Sequence, residues 1–208
     1  MNNIKFVEPH EIEKRSFELI QKELGDIVLD HEKEPIIKRA IHTSADFDYL
    51  ENLCFSENAI KNAKQAIKNG ATIVTDTNMA FAGINKKIAA KYGVTVKCFM
   101  ADDDVFKEAE QRGETRATIS MERASKIHGP VIFAIGNAPT ALIKLYEIIK
   151  EGKFKPELII GVPVGFVNVV EAKELIMSLE DVEYIVAKGR KGGSNIAAAI
   201  CNALLYNI

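Results

Sequence analysis

The sequence predicts an α/β fold: one domain over residues 1–208, built on an open, largely parallel sheet of about five strands with helices on both faces. Two observations carry this. From about residue 70 onward, short β-rich runs alternate with amphipathic helical segments. The runs are also continuously apolar, as strands buried on both faces are, instead of alternating. No internal repeat, low-complexity stretch or Pro/Ser-rich linker divides the chain.

The elements follow in order. Pro9 suits the first turn of a helix carrying Ile12, Ser16, Leu19 and Ile20 on one face, with Gly25 as its stop. A second helix starts near Pro35, carries Ile36, Ile37, Ala40 and Ile41, and ends close to His42. The strand runs are Ala71–Thr75, Val94–Phe99, Val131–Ile135, Leu158–Val162 and Tyr184–Ala187. Helical stretches between and beside them include Asn78–Tyr92, Ala138–Lys150 and Val169–Leu179.

Composition narrows the function. With 27 Lys+Arg against 29 Asp+Glu and no Trp, the chain has neither the basic excess nor the stacking surface of a nucleic-acid binder. Cys54, Cys98 and Cys201 are far apart, odd in number and without a CxxC pair, which suggests neither a disulfide framework nor a zinc site. The N-terminus turns charged too early for a secretory signal, and the longest apolar run, Leu158–Val170, is interrupted and too short to span a bilayer. A cytoplasmic protein without a membrane partner is expected.

In open α/β sheets ligands bind beyond the carboxyl ends of the strands. The segments there read DTN, GNAPT, PVGF and GRKGGSN. Glycines admit a ligand to the backbone, and each following helix offers free N–H groups to anions; singly, each loop also reads as a tight turn. GxxxxGK[ST] is absent, and no GxGxxG follows the first strand. GRKGGSN suits a phosphate or a carboxylate equally. The histidines His10, His31, His42 and His128 lack metal-ligand spacing. His42 alone draws attention, at the end of an apolar helical face, where a helix dipole, or Asp46 or Asp48 if close, would favour its protonated form. By spacing alone, a lone histidine is more often a surface or hydrogen-bonded core residue than a catalytic one. Asp102–Asp104, and Asp76 with Thr77 and Asn78, read as helix caps. Arg15, Arg39, Arg116 and Arg190 are scattered, and spacing alone does not make them converge.

The strings KRSFELI, RAIHTSADFDY, TDTNMAFAGINKK, GETRA, GNAPTAL, GVPVGFVNVVEAKE and GRKGGSNIAAAICNAL, in this order from Lys14 to Leu204, resemble the precorrin isomerase family, the precorrin-8X and cobalt-precorrin-8 methylmutases. The resemblance implies an isomerase of cobalamin biosynthesis. It moves a methyl group from carbon eleven to carbon twelve of a tetrapyrrole, giving hydrogenobyrinate or cobyrinate. It places the catalytic histidine at His42, and substrate contacts at Ser16 and Arg39, with Arg15 and Arg116 as carboxylate partners. The loops of Asn137, Arg190 and Gly192 are implied ring-lining segments. Just after His42 the chain reads TSAD where many relatives have small residues and glycine. The resemblance further implies an anionic tetrapyrrole partner, a homodimer, and no cofactor or protein-bound metal, any cobalt being part of the substrate. The apolar stretch Ile196–Leu205 would serve such a dimer if its helix were not wholly internal. Two other readings are a corrinoid carrier without turnover, and a nucleotide-using enzyme built on GRKGGSN.

Overall fold

The computed structural model describes residues 6–208. Helix α1 (Ile12–Leu24) stops at Gly25, whose φ of 60° is the left-handed value glycine tolerates. Its buried face is not the one expected. Ile12 and Leu19 are each 53% exposed, whereas Ile20 and Leu24 are buried and Phe17 packs beside them. Helical spacing allows both stripes, and only the partner helix chooses between them. That partner, α2 (Glu34–Ser44), has Pro35 in its first turn and buries Ile36, Ile37, Ala40 and Ile41 as its periodicity predicts. A short α3 (Tyr49–Asn52) then leads into β1 (Leu53–Phe55).

The remainder alternates: α4 (Ala59–Lys68), β2 (Thr72–Thr75), α5 (Asn78–Gly83), α6 (Lys86–Lys91), β3 (Thr95–Cys98), α7 (Asp103–Arg112), α8 (Arg116–Ala124) and β4 (Val131–Ile135). Then come α9 (Pro139–Lys150), β5 (Leu158–Gly161), α10 (Val169–Met177), β6 (Tyr184–Ala187) and α11 (Ser194–Tyr206). The stretch 78–92, read as one helix, is two. Asn85 accepts the Ile88 N–H at 3.1 Å and so starts α6 afresh. Asp102 occupies the N-cap position of α7 but its side chain accepts no helix N–H, while Asp103 and Asp104 lie in the first turn and Asp104 pairs with Arg123 at 2.8 Å.

The sheet order is β1-β6-β5-β4-β2-β3, parallel throughout except for β1, which runs antiparallel to β6 with Leu53 opposite Ala187. The five expected strands are all present, and the sixth, β1, is a three-residue edge strand too short to show a pattern. Alternate residues of one strand feed two cores. Ile132 and Ala134 pack under α2, α4 and α11, while Val131, Phe133 and Ile135 pack under α8, α9 and α10. That is why these runs are apolar without alternation. No helix among the described residues is long and apolar enough to cross a membrane.

Helix α11 is internal. Every residue from Ile196 to Leu205 except Asn202 is buried within the one chain, against α2 and α5. Asn202 itself accepts the Asn85 N–H and donates to the Gly83 carbonyl. The apolar C-terminal stretch is therefore consumed by the fold and offers no surface to a second copy.

Candidate functional site

The chain passes from β2 to β3 on one side and then returns to β4 on the other, so the order of strand addition reverses between the parallel strands β2 and β4. Such a reversal leaves a crevice at the carboxyl ends of the two strands. Here the protein fills it with its own side chain. Asp76, fully buried, accepts the N–H groups of Gly136 at 2.9 Å, Asn137 at 2.8 Å and Ala138 at 2.7 Å. Thr77, not Asp76, caps α5, by accepting the Ala80 N–H. Of the capping segment Asp76-Thr77-Asn78, Thr77 is the cap, and Asp76 instead secures the GNAPT loop across the crevice. Burial pushes its carboxyl above the usual range, against the pull of the three donors. The amides of the loop leading into α9 are thus held by Asp76.

The loops that follow β5 and β6 are stitched together. Gly193 donates to the Val162 carbonyl at 2.8 Å, and Gly165 donates to the Arg190 carbonyl at 3.1 Å. A Cβ on Gly192 would stand 2.1 Å from the Val162 oxygen, and one on Gly136 would stand 2.6 Å from the Ser194 Cα. Both positions accept only glycine for that reason. Thr77 and Ser194 share a hydroxyl hydrogen bond of 2.7 Å.

His42 stands beside these loops. Helix α2 runs against α11 in the opposite direction, its Pro35 end near Tyr206 and its far end near Lys191. The His42 ring is exposed and stacks on Phe17 of α1, with centroids 5.2 Å apart and planes inclined by 30°. Ala45, in the left-handed region at φ 55°, ends the helix. Asp46 and Asp48 then turn to Lys191, at 2.6 and 2.5 Å. Lys191 holds the Asp46 carboxyl below the usual carboxylate range, and the Asp48 N–H adds to the effect. The departure TSAD thus carries an anchor to the β6–α11 loop, and Asp46, with Asp48 beyond it, pairs with Lys191.

The same edge carries an exposed apolar rim. Met79, Val164, Phe166 and Val167 all face solvent, Phe166 with 81% of its surface, and the Arg190 guanidinium lies over the Phe166 ring at 5.4 Å from its centroid. Exposed apolar side chains concentrated beside a cation mark an interaction surface. By contrast, a concavity of 490 Å³ lined by Phe154, Lys153, Leu179 and Asp181 sits near the opposite ends of α9 and α10, away from His42.

The precorrin-8X methylmutase family model matches residues 11–207. The chain belongs to this family. It is 46% identical to a cobalt-precorrin-8 methylmutase from Priestia megaterium over 198 residues, covering 95% of this chain and 88% of that one. A cobalt-precorrin-8 methylmutase from Salmonella typhimurium shares 40% identity, with 97% and 96% of the two chains covered. The solved precorrin-8X methylmutase from Thermus thermophilus superposes with a TM-score of 0.86 at 35% identity, covering 94% and 96%.

Within this methylmutase framework the sequence-predicted residues divide. His42, Asn137, Arg190 and Gly192 lie at the carboxyl edge, with the Asn137 side chain exposed. Arg116 opens α8 and is exposed, its guanidinium 3.4 Å from the Met100 carbonyl. The Thr115–Thr140 hydroxyl contact at 3.0 Å sets this start of α8 beside the start of α9, over the other face of the sheet. Arg39 is committed elsewhere. It pairs with Glu13 and lies over the rings of Phe17 and Tyr206, at 4.9 and 5.4 Å, one turn of α2 away from the edge. Ser16 spends its hydroxyl on the Ile12 carbonyl, and Arg15 is exposed near Phe6 and Glu8. Among the described residues no cluster of three His, Cys, Asp or Glu side chains is arranged to hold a metal.

Sequence reasoning reached the segments DTN, PVGF and GRKGGSN, and with them Asp76, Lys191 and the loop of Val164 and Phe166, without the contacts the structure gives them. Lys173 lies outside those segments, and its burial had no signal, because pattern reading places charges in solvent.

Proposed function

We propose that this methylmutase-family chain is an isomerase of cobalamin biosynthesis that moves a methyl group from carbon eleven to carbon twelve of a precorrin-8 ring. The observation that carries the reading is the placement of His42. Its ring is exposed and stacked on Phe17, four residues ahead of Asp46, which pairs with Lys191 in the β6–α11 loop next to Arg190. The migration is intramolecular, so it exchanges no electrons or groups with a second reactant. The protein has to hold the ring and select the tautomer that rearranges. A ring face covers Val164, Phe166 and Val167, its acetate and propionate groups meet Arg190 and Arg116, and His42 moves the proton that sets the tautomer. No resident cofactor is needed for this, and cobalt, where present, belongs to the substrate.

The working form we propose is a cytoplasmic homodimer. Phe6, Ile12, Leu19 and Val28 leave a broad apolar surface around α1 uncovered in one chain, as an interface would require, and the three free cysteines suit a reducing compartment.

The test is turnover. Purified protein, with chelator present, is mixed with precorrin-8 with and without cobalt, and the absorption spectrum is followed. Wild-type protein converts at least one form, and His42→Ala loses about a hundredfold or more in rate, the scale of general acid–base catalysis, while still binding product. Tight binding without conversion would make the chain a carrier, and wild-type rates in His42→Ala would make the histidine structural.

A further inference from the structure

Lys173 sits in the second turn of α10 with 1% of its surface exposed. Its ammonium donates to the carbonyls of Gly189 at 2.7 Å and Lys191 at 2.9 Å. Burial alone pushes its pKa down to about 8, with no acidic neighbour among the described residues acting against it. An ammonium buried against two carbonyls is expensive to desolvate, and a methionine would fill the same volume without that penalty.

The geometry shows what this costly group acts on. Side chains on a helix lean toward its N-terminus, and α10 begins just past the carboxyl end of β5, so the Lys173 side chain rises to that edge. The two carbonyls it takes bracket Arg190. Each carbonyl turned toward Nζ turns the N–H of the same peptide, that of Arg190 or Gly192, away from it. The next side chain, Lys191, reaches across to Asp46 and Asp48 just beyond His42. One continuous line of contacts runs from inside α10, through the β6–α11 loop, to the end of α2.

We propose that Lys173 is a positioning residue: its ammonium fixes the turn at 189–191 and, through the Lys191 bridge, sets where His42 stands over the ring. It touches no substrate itself. The inference rests on His42 being the catalytic group, and its test separates the two.

Lys173→Met and Lys191→Met are made in the full chain, singly and together. Backbone amide exchange is measured over 43–48 and 189–193, alongside kcat and KM for the precorrin. In Lys173→Met, exchange quickens in both segments and kcat falls roughly tenfold to a hundredfold, the cost of misplacing a catalytic group by about 1 Å, while KM moves only a few-fold. Lys191→Met quickens exchange over 43–48 and lowers kcat likewise. Because the two residues act along one line, the double variant falls little further than the worse single one, a non-additivity that general destabilisation would not give. Wild-type kcat with unchanged exchange over 43–48 in Lys173→Met overturns the proposal, as do fully additive losses in the double variant. Should Lys173→Met not fold, the exposed Lys191→Met decides alone, and unchanged exchange over 43–48 with wild-type kcat sinks the idea. If the wild-type chain converts no precorrin, the proposed function falls, and the exchange results still decide the positioning role.

Discussion

Replacing Asp76 by alanine tests the lock at the centre of the site. The change strips acceptors from three backbone N–H groups at once, those of Gly136, Asn137 and Ala138. A buried donor left unsatisfied costs about 1–3 kcal/mol, so the three together reach roughly 3–9 kcal/mol. Two effects reduce that figure. The carboxyl no longer has to be buried, and water can enter the space it leaves. A net loss of about 3 kcal/mol is expected, close to that of breaking a buried polar network. In a domain of this size each kcal/mol lowers Tm by about 2–4 °C, so Asp76→Ala should melt about 6–12 °C below wild type. Asp76→Asn, with one oxygen to offer, should fall between the two. Thermal unfolding followed by circular dichroism, with urea unfolding as a check on the slope, reads this directly. The loop of Asn137 abuts Ser194, so product affinity should fall as well. A Tm within about 2 °C of wild type for Asp76→Ala would refute the reasoning, because it would mean that solvent reaches those amides as easily as the carboxylate does.

Further tests address the arginines and the buried lysine. Arg39→Ala should lower stability by about 1–2 kcal/mol, since it removes two aromatic contacts worth about 0.5–1 kcal/mol each besides the Glu13 pair; Arg116→Ala should leave Tm unchanged and weaken product binding. Isothermal titration beside thermal melts separates the two, and an Arg39→Ala protein as stable as wild type would free that arginine for substrate. Lys173 has a pKa near 8 in the fold against 10.5 ordinarily, so between those values the unfolded chain holds a proton that the fold has released. Wild-type stability relative to Lys173→Met should therefore rise with pH across that window, by about 2–3 kcal/mol. A flat difference in urea midpoints from pH 8 to 10.5 would place the ammonium in water.

Much of this architecture was legible in the order of residues alone. The apolar runs at Val131–Ile135 and Leu158–Val162 can be satisfied only by strands covered on both faces, and two cores indeed divide their alternate side chains. His42 was legible at the end of an apolar helical stripe and within a recognisable string, as were the glycines of the edge loops. What pattern reading could not supply was partnership. Helical periodicity left two stripes open for α1, and the packing of α2 chose Phe17, Ile20 and Leu24 over Ile12 and Leu19. A three-residue edge strand has too little length to show a period, so β1 emerged only by pairing with β6. Asp76 read as part of a helix cap, and the burial of Lys173 was not legible, because their partners are backbone groups 60 and 16 residues away, which carry no side-chain signature. Arg39, Arg190 and Arg116 are chemically alike in the sequence. Tertiary structure places the first against Glu13 and two aromatic rings, the second over Phe166 and the third at the start of α8 by the Met100 carbonyl, because an arginine's role is set by which groups the fold brings within reach of its fork.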